Sequence, residues 1–130
     1  MTTLATRPAT AARRKELFNE ASAIMALEYS DALTLEDLAR RLATSPRQLQ
    51  RAFSEAGEPG PRAYLRRVRM TRAAELLQNG WSVREAAGLV GYSQPAQFAK
   101  AFRREQGRLP AEVRRSRGGR RRRGPSASYP

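Results

Sequence analysis

The chain has 130 residues, with 25 Lys and Arg against 12 Asp and Glu, a formal net charge of +13, and neither Cys nor His. That composition excludes disulfides, Cys/His zinc sites, a His general base and a Cys nucleophile, and no apolar run reaches the roughly 20 residues of a membrane span. A charge this one-sided concentrates a polyanion around the protein, nucleic acid ahead of an anionic membrane surface, with solubility alone as the plain alternative.

Residues 1–12 are small, polar and aperiodic, without the apolar middle of a signal peptide, and are expected to form a loose arm on a soluble, cytoplasmic protein. The first helix is expected from about Arg13 to Tyr29, with Leu17, Ala21, Ile24 and Leu27 or Glu28 marking its faces. The second starts at Thr34, where Thr34-Leu35-Glu36-Asp37 resembles a capping box with Asp in the third place; Leu35, Leu38, Ala39 and Leu42 make its buried stripe. After the short turn Ala43-Thr44, Ser45-Pro46-Arg47-Gln48 opens a third helix with Ser as N-cap, Pro in the first turn and Gln in the capping-box place. Leu49 and Phe53 anchor it.

Past the breakers Gly57, Pro59, Gly60 and Pro61, a longer helix is expected over about Ala63 to Gln78, ended by Asn79-Gly80. Ser82-Val83-Arg84-Glu85 is a full capping box opening the fifth helix, with Val83, Ala86, Ala87 and Val90 behind it. Gly91-Tyr92 turn the chain, and a sixth helix follows from about Gln94 to Gln106, anchored by Phe98 and Phe102. From Arg115 onward arginines alternate with breakers and no apolar face exists, so residues 115–130 are expected to be a disordered basic tail. The folded part is then 13–114, all α.

The two halves repeat. Thr34 and Ser82 lie 48 positions apart, as do Asp37 and Glu85, Leu38 and Ala86, and Ala39 and Ala87; past the second turn the offset becomes 49, pairing Leu49 with Phe98, Phe53 with Phe102 and Pro61 with Pro110. Each copy reads as capped helix, turn, second helix, which is the helix-turn-helix plan. A plain helical bundle would show the same caps and anchors. What argues for DNA is the surface left on the second helices: Arg47, Gln48, Gln50 and Arg51 in the first copy, Gln97 and Lys100 followed by Arg103 and Arg104 in the second. Arg and Gln are the side chains that pair bidentately with guanine and adenine edges.

These residues resemble the AraC/XylS family of transcription regulators over about Ile24 to Arg114. The resemblance rests on Leu33 to Ala39, then Ser45, Leu49, Gln50, Arg51 and Phe53. It continues through Tyr64 to Met70 with Ala73, Leu76 and Leu77, and ends with Ala86, Ala87, Val90, Gly91, Tyr92, Phe98, Phe102, Gly107, Pro110 and Arg114. It implies seven helices, with two helix-turn-helix units joined by a long linker helix. The chain departs from the family pattern in having Glu58 where Gly is usual, with Gly57 one residue early, and Leu109 and Val113 for a usual Thr and Tyr.

The expected mechanism places helices three and six in successive major grooves, about 34–36 Å apart, beneath a single protein copy. Base-reading candidates are Arg47, Gln48, Gln50 (open between base and phosphate), Arg51, Ala96, Gln97 and Lys100. Pro95 and Ala96 offer no side-chain hydrogen bond, although Ala96 suits a thymine methyl, so the second unit is expected to read less selectively. Phosphate candidates are Ser45, Ser82, Ser93 and Gln94 at helix starts, Arg66, Arg67 and Arg72 on the linker helix, and Arg103 and Arg104. Arg69 sits on the apolar spine and is assigned a structural role; Tyr64, Trp81 and Tyr92 are assigned to packing. The tail is expected to follow phosphates or enter a minor groove.

Scattered carboxylates without a nucleophile, metal partner or Gly-rich phosphate loop argue against an enzyme, and no cofactor or metal is expected. The resemblance implies a protein that also touches RNA polymerase, most simply as an activator; the alternative is a module recruited to polymerase with modest DNA affinity. With no room for an effector domain, the chain is expected to be either a stand-alone regulator controlled by its abundance, which the initial Met favours, or a fragment of a larger protein; a nucleoid-associated location is expected.

Overall fold

A computed structural model of the chain describes residues 10–115; the arm at 1–9 and the basic tail at 116–130 lie outside the described residues. In chain order the helices are α1 (Ala11–Glu28), α2 (Leu35–Arg41), α3 (Pro46–Glu55), α4 (Pro61–Gln78), α5 (Val83–Leu89), α6 (Pro95–Gln106) and α7 (Pro110–Arg115), with no strand among the described residues. The fold is all-α, with two helix-turn-helix units, α2–α3 and α5–α6, joined in sequence by the 18-residue α4. Packing divides the chain into two compact units that meet between Leu65 and Arg66, inside α4.

In the first unit α1 and α2 both pack on α3. The core holds Leu17, Ala21 and Met25 of α1, Leu35, Leu38 and Ala39 of α2, Leu49, Ala52 and Phe53 of α3, and Leu65. Phe53 is fully buried and takes the edges of Phe18 and Tyr64, at centroid distances of 4.9 and 5.3 Å, a favoured aromatic geometry. Tyr64 therefore packs, as its position suggests. Met25 rather than Leu27 continues the stripe of α1: positions 17, 21 and 25 stack on one face, whereas Leu27 points the other way and is 83% exposed.

In the second unit the core holds Met70, Ala73, Ala74, Leu76 and Leu77 of α4, Ala86, Ala87 and Val90, Phe98 and Phe102 of α6, and Val113 of α7. Tyr92 meets the ring of Phe98 at 5.8 Å, and the Arg69 guanidinium lies 5.9 Å from the Tyr92 centroid, a structural role for both. The short α7 packs on α5 and α6. Its start is fixed by Glu112, whose carboxylate accepts from the Leu109 N–H at 2.8 Å.

Helix starts follow the sequence signals closely. Thr34, Ser45 and Ser82 each accept from the N–H three residues on, at 3.0 to 3.1 Å. Only Ser82 has the reciprocal bond, in which its own N–H donates to Glu85 at 3.0 Å. In the first copy Asp37 is instead paired with Arg40. α1 begins two residues before Arg13, capped by Thr10, and α4 begins at Pro61, because proline lacks only an N–H that a first turn leaves unbonded anyway. Arg115 belongs to α7, so any tail begins after it.

Helix ends share one device. At α2, α3, α4 and α5 a residue with positive φ follows the C-cap, and the next N–H reaches back five residues: Thr44 to Ala39, Glu58 to Phe53, Trp81 to Leu76, and Tyr92 to Ala87. These are Schellman closures, which satisfy carbonyls the helix leaves open. Gly57, Gly80 and Gly91 hold three of the positions, but in α2 it is Ala43, at φ +54°. The same closure accounts for the departure at Glu58. Gly57 sets the left-handed position one residue sooner than Gly107 does in the second copy, and α3 has 10 residues where α6 has 12.

Candidate nucleic-acid interface

On α3 the side chains of Leu49, Ala52 and Phe53 are buried, which turns Arg47, Gln50 and Arg51 to solvent. Gln48 does not join them fully. It is half-buried, and its side-chain oxygen is buried without a hydrogen-bond partner. On α6 the buried Phe98 and Phe102 leave Ala96, Gln97, Lys100, Arg103 and Arg104 exposed, with Ser93 and Gln94 exposed ahead of them. Gln94 is the N-cap of α6 but makes no side-chain capping bond, so its first-turn N–H groups are not closed off as they are in α2, α3 and α5. Ser45 and Ser82 are half-buried and already accept a backbone N–H.

Among the arginines of α4, Arg67 is exposed. Arg66 donates from Nε to Glu105 at 2.8 Å, and Arg72 donates to Glu75 at 2.7 Å, so these two cations meet carboxylates of their own unit. Arg103 and Arg104 also stand in the last turn of α6, where positive charge complements the helix dipole.

One group escaped the sequence reading. Glu55, at the end of α3, accepts from Arg14 Nε of α1 at 2.8 Å and from Arg51 Nε at 3.1 Å. The Arg14 side chain is only 11% exposed. Its hydrogen bond, and then that of Arg51, hold the Glu55 carboxyl below the usual carboxylate range against the opposing effect of desolvation. Glu28 is lowered likewise by its two hydrogen bonds from Arg41, each 2.8 Å. The sequence showed Arg51 and Glu55 one turn apart, but only the packing of α1 on α3 reveals the third member.

Two capped helix-turn-helix units in tandem, each with a cationic and amide-bearing second helix, define a double helix-turn-helix protein. Residues 38–116 match the family model of a helix-turn-helix domain of AraC type. The chain belongs to the AraC/XylS family of transcription regulators and carries that family's DNA-binding domain. It is similar to the Msm operon regulatory protein of Streptococcus mutans, 30% identical over 102 residues that span 78% of this chain and 37% of that protein. Among solved structures it is similar to a transcriptional regulator with an AraC-type DNA-binding domain from Chromobacterium violaceum, at TM-score 0.74 and 27% identity, covering 84% of this chain and 98% of that one. It is also similar to the DNA-binding domain of AdpA, a global transcriptional factor solved in complex with a target DNA, at TM-score 0.70 and 31% identity, covering 77% and 94%. The chain spans 37% to 38% of the length of the first curated relatives it matches. No helix of the described residues is long and apolar enough to cross a membrane.

Proposed function

We propose that this chain is a sequence-specific, double-stranded-DNA-binding transcription regulator of the cytoplasm, in which α3 and α6 are the reading helices. The observation that carries the reading is the exposure, on the second helix of each duplicated unit, of side chains able to pair with base edges: Arg47, Gln50 and Arg51 on α3, Gln97 and Lys100 on α6. Arg51 is the principal base contact. Gln48 reads only if its amide swings outward from its half-buried position, and Ala96 contributes apolar contact. Phosphates are held by Arg67, Arg103 and Arg104, by the open first turn of α6 beside Ser93 and Gln94, and by the starts of α3 and α5 at Ser45 and Ser82. Arg66 and Arg72 are further phosphate contacts, in exchange for Glu105 and Glu75. The protein binds as a monomer, the two reading helices of one copy entering successive major grooves; it activates by touching RNA polymerase, as the family resemblance implies.

Selection of bound sequences from a random duplex pool tests the reading, followed by Arg51→Ala on the selected site. The expected loss is about 1–3 kcal/mol at that site with relaxed preference at one base pair. An equal loss on random duplex would make Arg51 a phosphate contact, and a pool without enrichment would remove the claim of specificity.

A further inference from the structure

We infer that Glu55 is a specificity-determining positioning residue, which holds Arg51 by its Nε and leaves the two terminal nitrogens as a fork for a base. The inference rests on the reading of Arg51 as a base contact. An exposed arginine samples many rotamers, and ordering it on association costs affinity. Here the Nε–H already donates to Glu55 Oε2 at 3.1 Å, while among the described residues the terminal nitrogens of Arg51 make no hydrogen bond. An end-on guanidinium fork matches the N7 and O6 acceptors of guanine in the major groove.

A carboxylate beside the reading surface would normally repel DNA. Glu55 is matched by a second arginine: Arg14 Nε donates to its other oxygen at 2.8 Å from a side chain 11% exposed. The trio carries one net positive charge, and the buried member ties the carboxylate to α1. Glu55 is thereby fixed at both ends, which a simple exposed i, i+4 pair is not.

The duplication supplies an internal comparison. At the offset of 49, Arg51 and Glu55 correspond to Lys100 and Arg104, both exposed, so the second unit has no carboxylate to steer its reading cation. At an offset of 52, Arg14 corresponds to Arg66, and Ala21 and Met25 to the equally buried Ala73 and Leu77. Arg66 also donates from Nε to a glutamate of its reading helix at 2.8 Å, but that glutamate is Glu105, one residue later. One residue is about 100° of helix, enough to turn the carboxylate away from the reading face. The inter-helix clamp is present in both units, and only the first directs it at a reading side chain.

The test is a double-mutant cycle with Arg51→Ala and Glu55→Gln. It is read as the affinity ratio between the selected duplex and the same duplex with one base pair changed, beside the affinity for random duplex. Arg51→Ala is expected to lower the ratio about tenfold. Glu55→Gln, which keeps an oxygen for Arg14, is expected to lower it at least about threefold without weakening binding to random duplex, and to change it no further once Arg51 is absent. Arg14→Lys gives a second route, loosening the carboxylate without touching α3, and is expected to lower the same ratio. Thermal unfolding of each variant shows that it is folded. If Arg51→Ala lowers the ratio and neither Glu55→Gln nor Arg14→Lys does, Glu55 positions nothing while Arg51 remains a reader. If Arg51→Ala leaves the ratio unchanged, the base-contact reading falls and the inference falls with it.

Discussion

Replacing Ala43 with glycine is expected to stabilise the protein. Ala43 is exposed, follows the C-cap of α2, and has φ +54°, the one positive φ among the described non-glycine residues. A left-handed conformation costs an L-residue roughly 1–2 kcal/mol through the approach of Cβ to the carbonyl oxygen. Glycine removes that cost but adds about 0.5–1 kcal/mol of backbone entropy lost on folding. The net expectation for Ala43→Gly is a gain of about 0.5–1 kcal/mol, which for a domain of this size raises the melting temperature by roughly 2–8 °C. The converse change has a clean site in Gly57, at φ +84°, where an added Cβ meets nothing within 4 Å. Gly57→Ala is therefore expected to cost about 1 kcal/mol from conformation alone. Thermal and urea unfolding of the three proteins side by side measure both. A destabilised Ala43→Gly, or a Gly57→Ala of unchanged stability, would refute the reasoning that left-handed strain governs these helix ends.

Acidification is expected to loosen the first unit. Glu55 and Glu28 have folded-state pKa values below the ordinary range, so their contribution is present above about pH 5 and lost as pH falls through those lowered values. Urea midpoints measured from pH 6 downward should fall less steeply in the Glu28→Gln and Glu55→Gln proteins than in the parent. Deleting residues 116–130, which carry five arginines, should flatten the dependence of log K on log salt by up to about 4–5 units if every one meets a phosphate. An unchanged slope would place the tail off the DNA.

Much of this architecture was legible because its signals are local. Thr34, Ser45 and Ser82 announce helix starts by residue type, and the apolar stripes of α2, α3, α5 and α6 name their own buried faces. The repeat at 48 and 49 was visible for the same reason. Its extension to α1 and α4 was not, since the offset changes again there, to 52. Leu27 was ambiguous because the face of α1 is decided by α3, not by α1's own composition. Ala43 gave no sign of a left-handed turn, because alanine is an ordinary helix residue. The place of Gln48 in the first turn suggested a side chain pointing at the groove floor, whereas in the fold it is half-buried. The roles of Arg14, Glu55, Arg66 and Glu105 depend on which helices touch, and pairwise spacing along the chain does not contain that.

The Schellman closures at Ala43 and Gly91 bear on how such turns change length. In each helix-turn-helix the first helix is stopped by its own left-handed residue, and the second is started by its own proline, Pro46 or Pro95. Neither signal refers to the other. Ser93, the extra residue of the second copy, sits between them and alters neither boundary. Stop and start are thus independent punctuation marks, and the spacer between them is free to drift by a residue while both helices keep their registers.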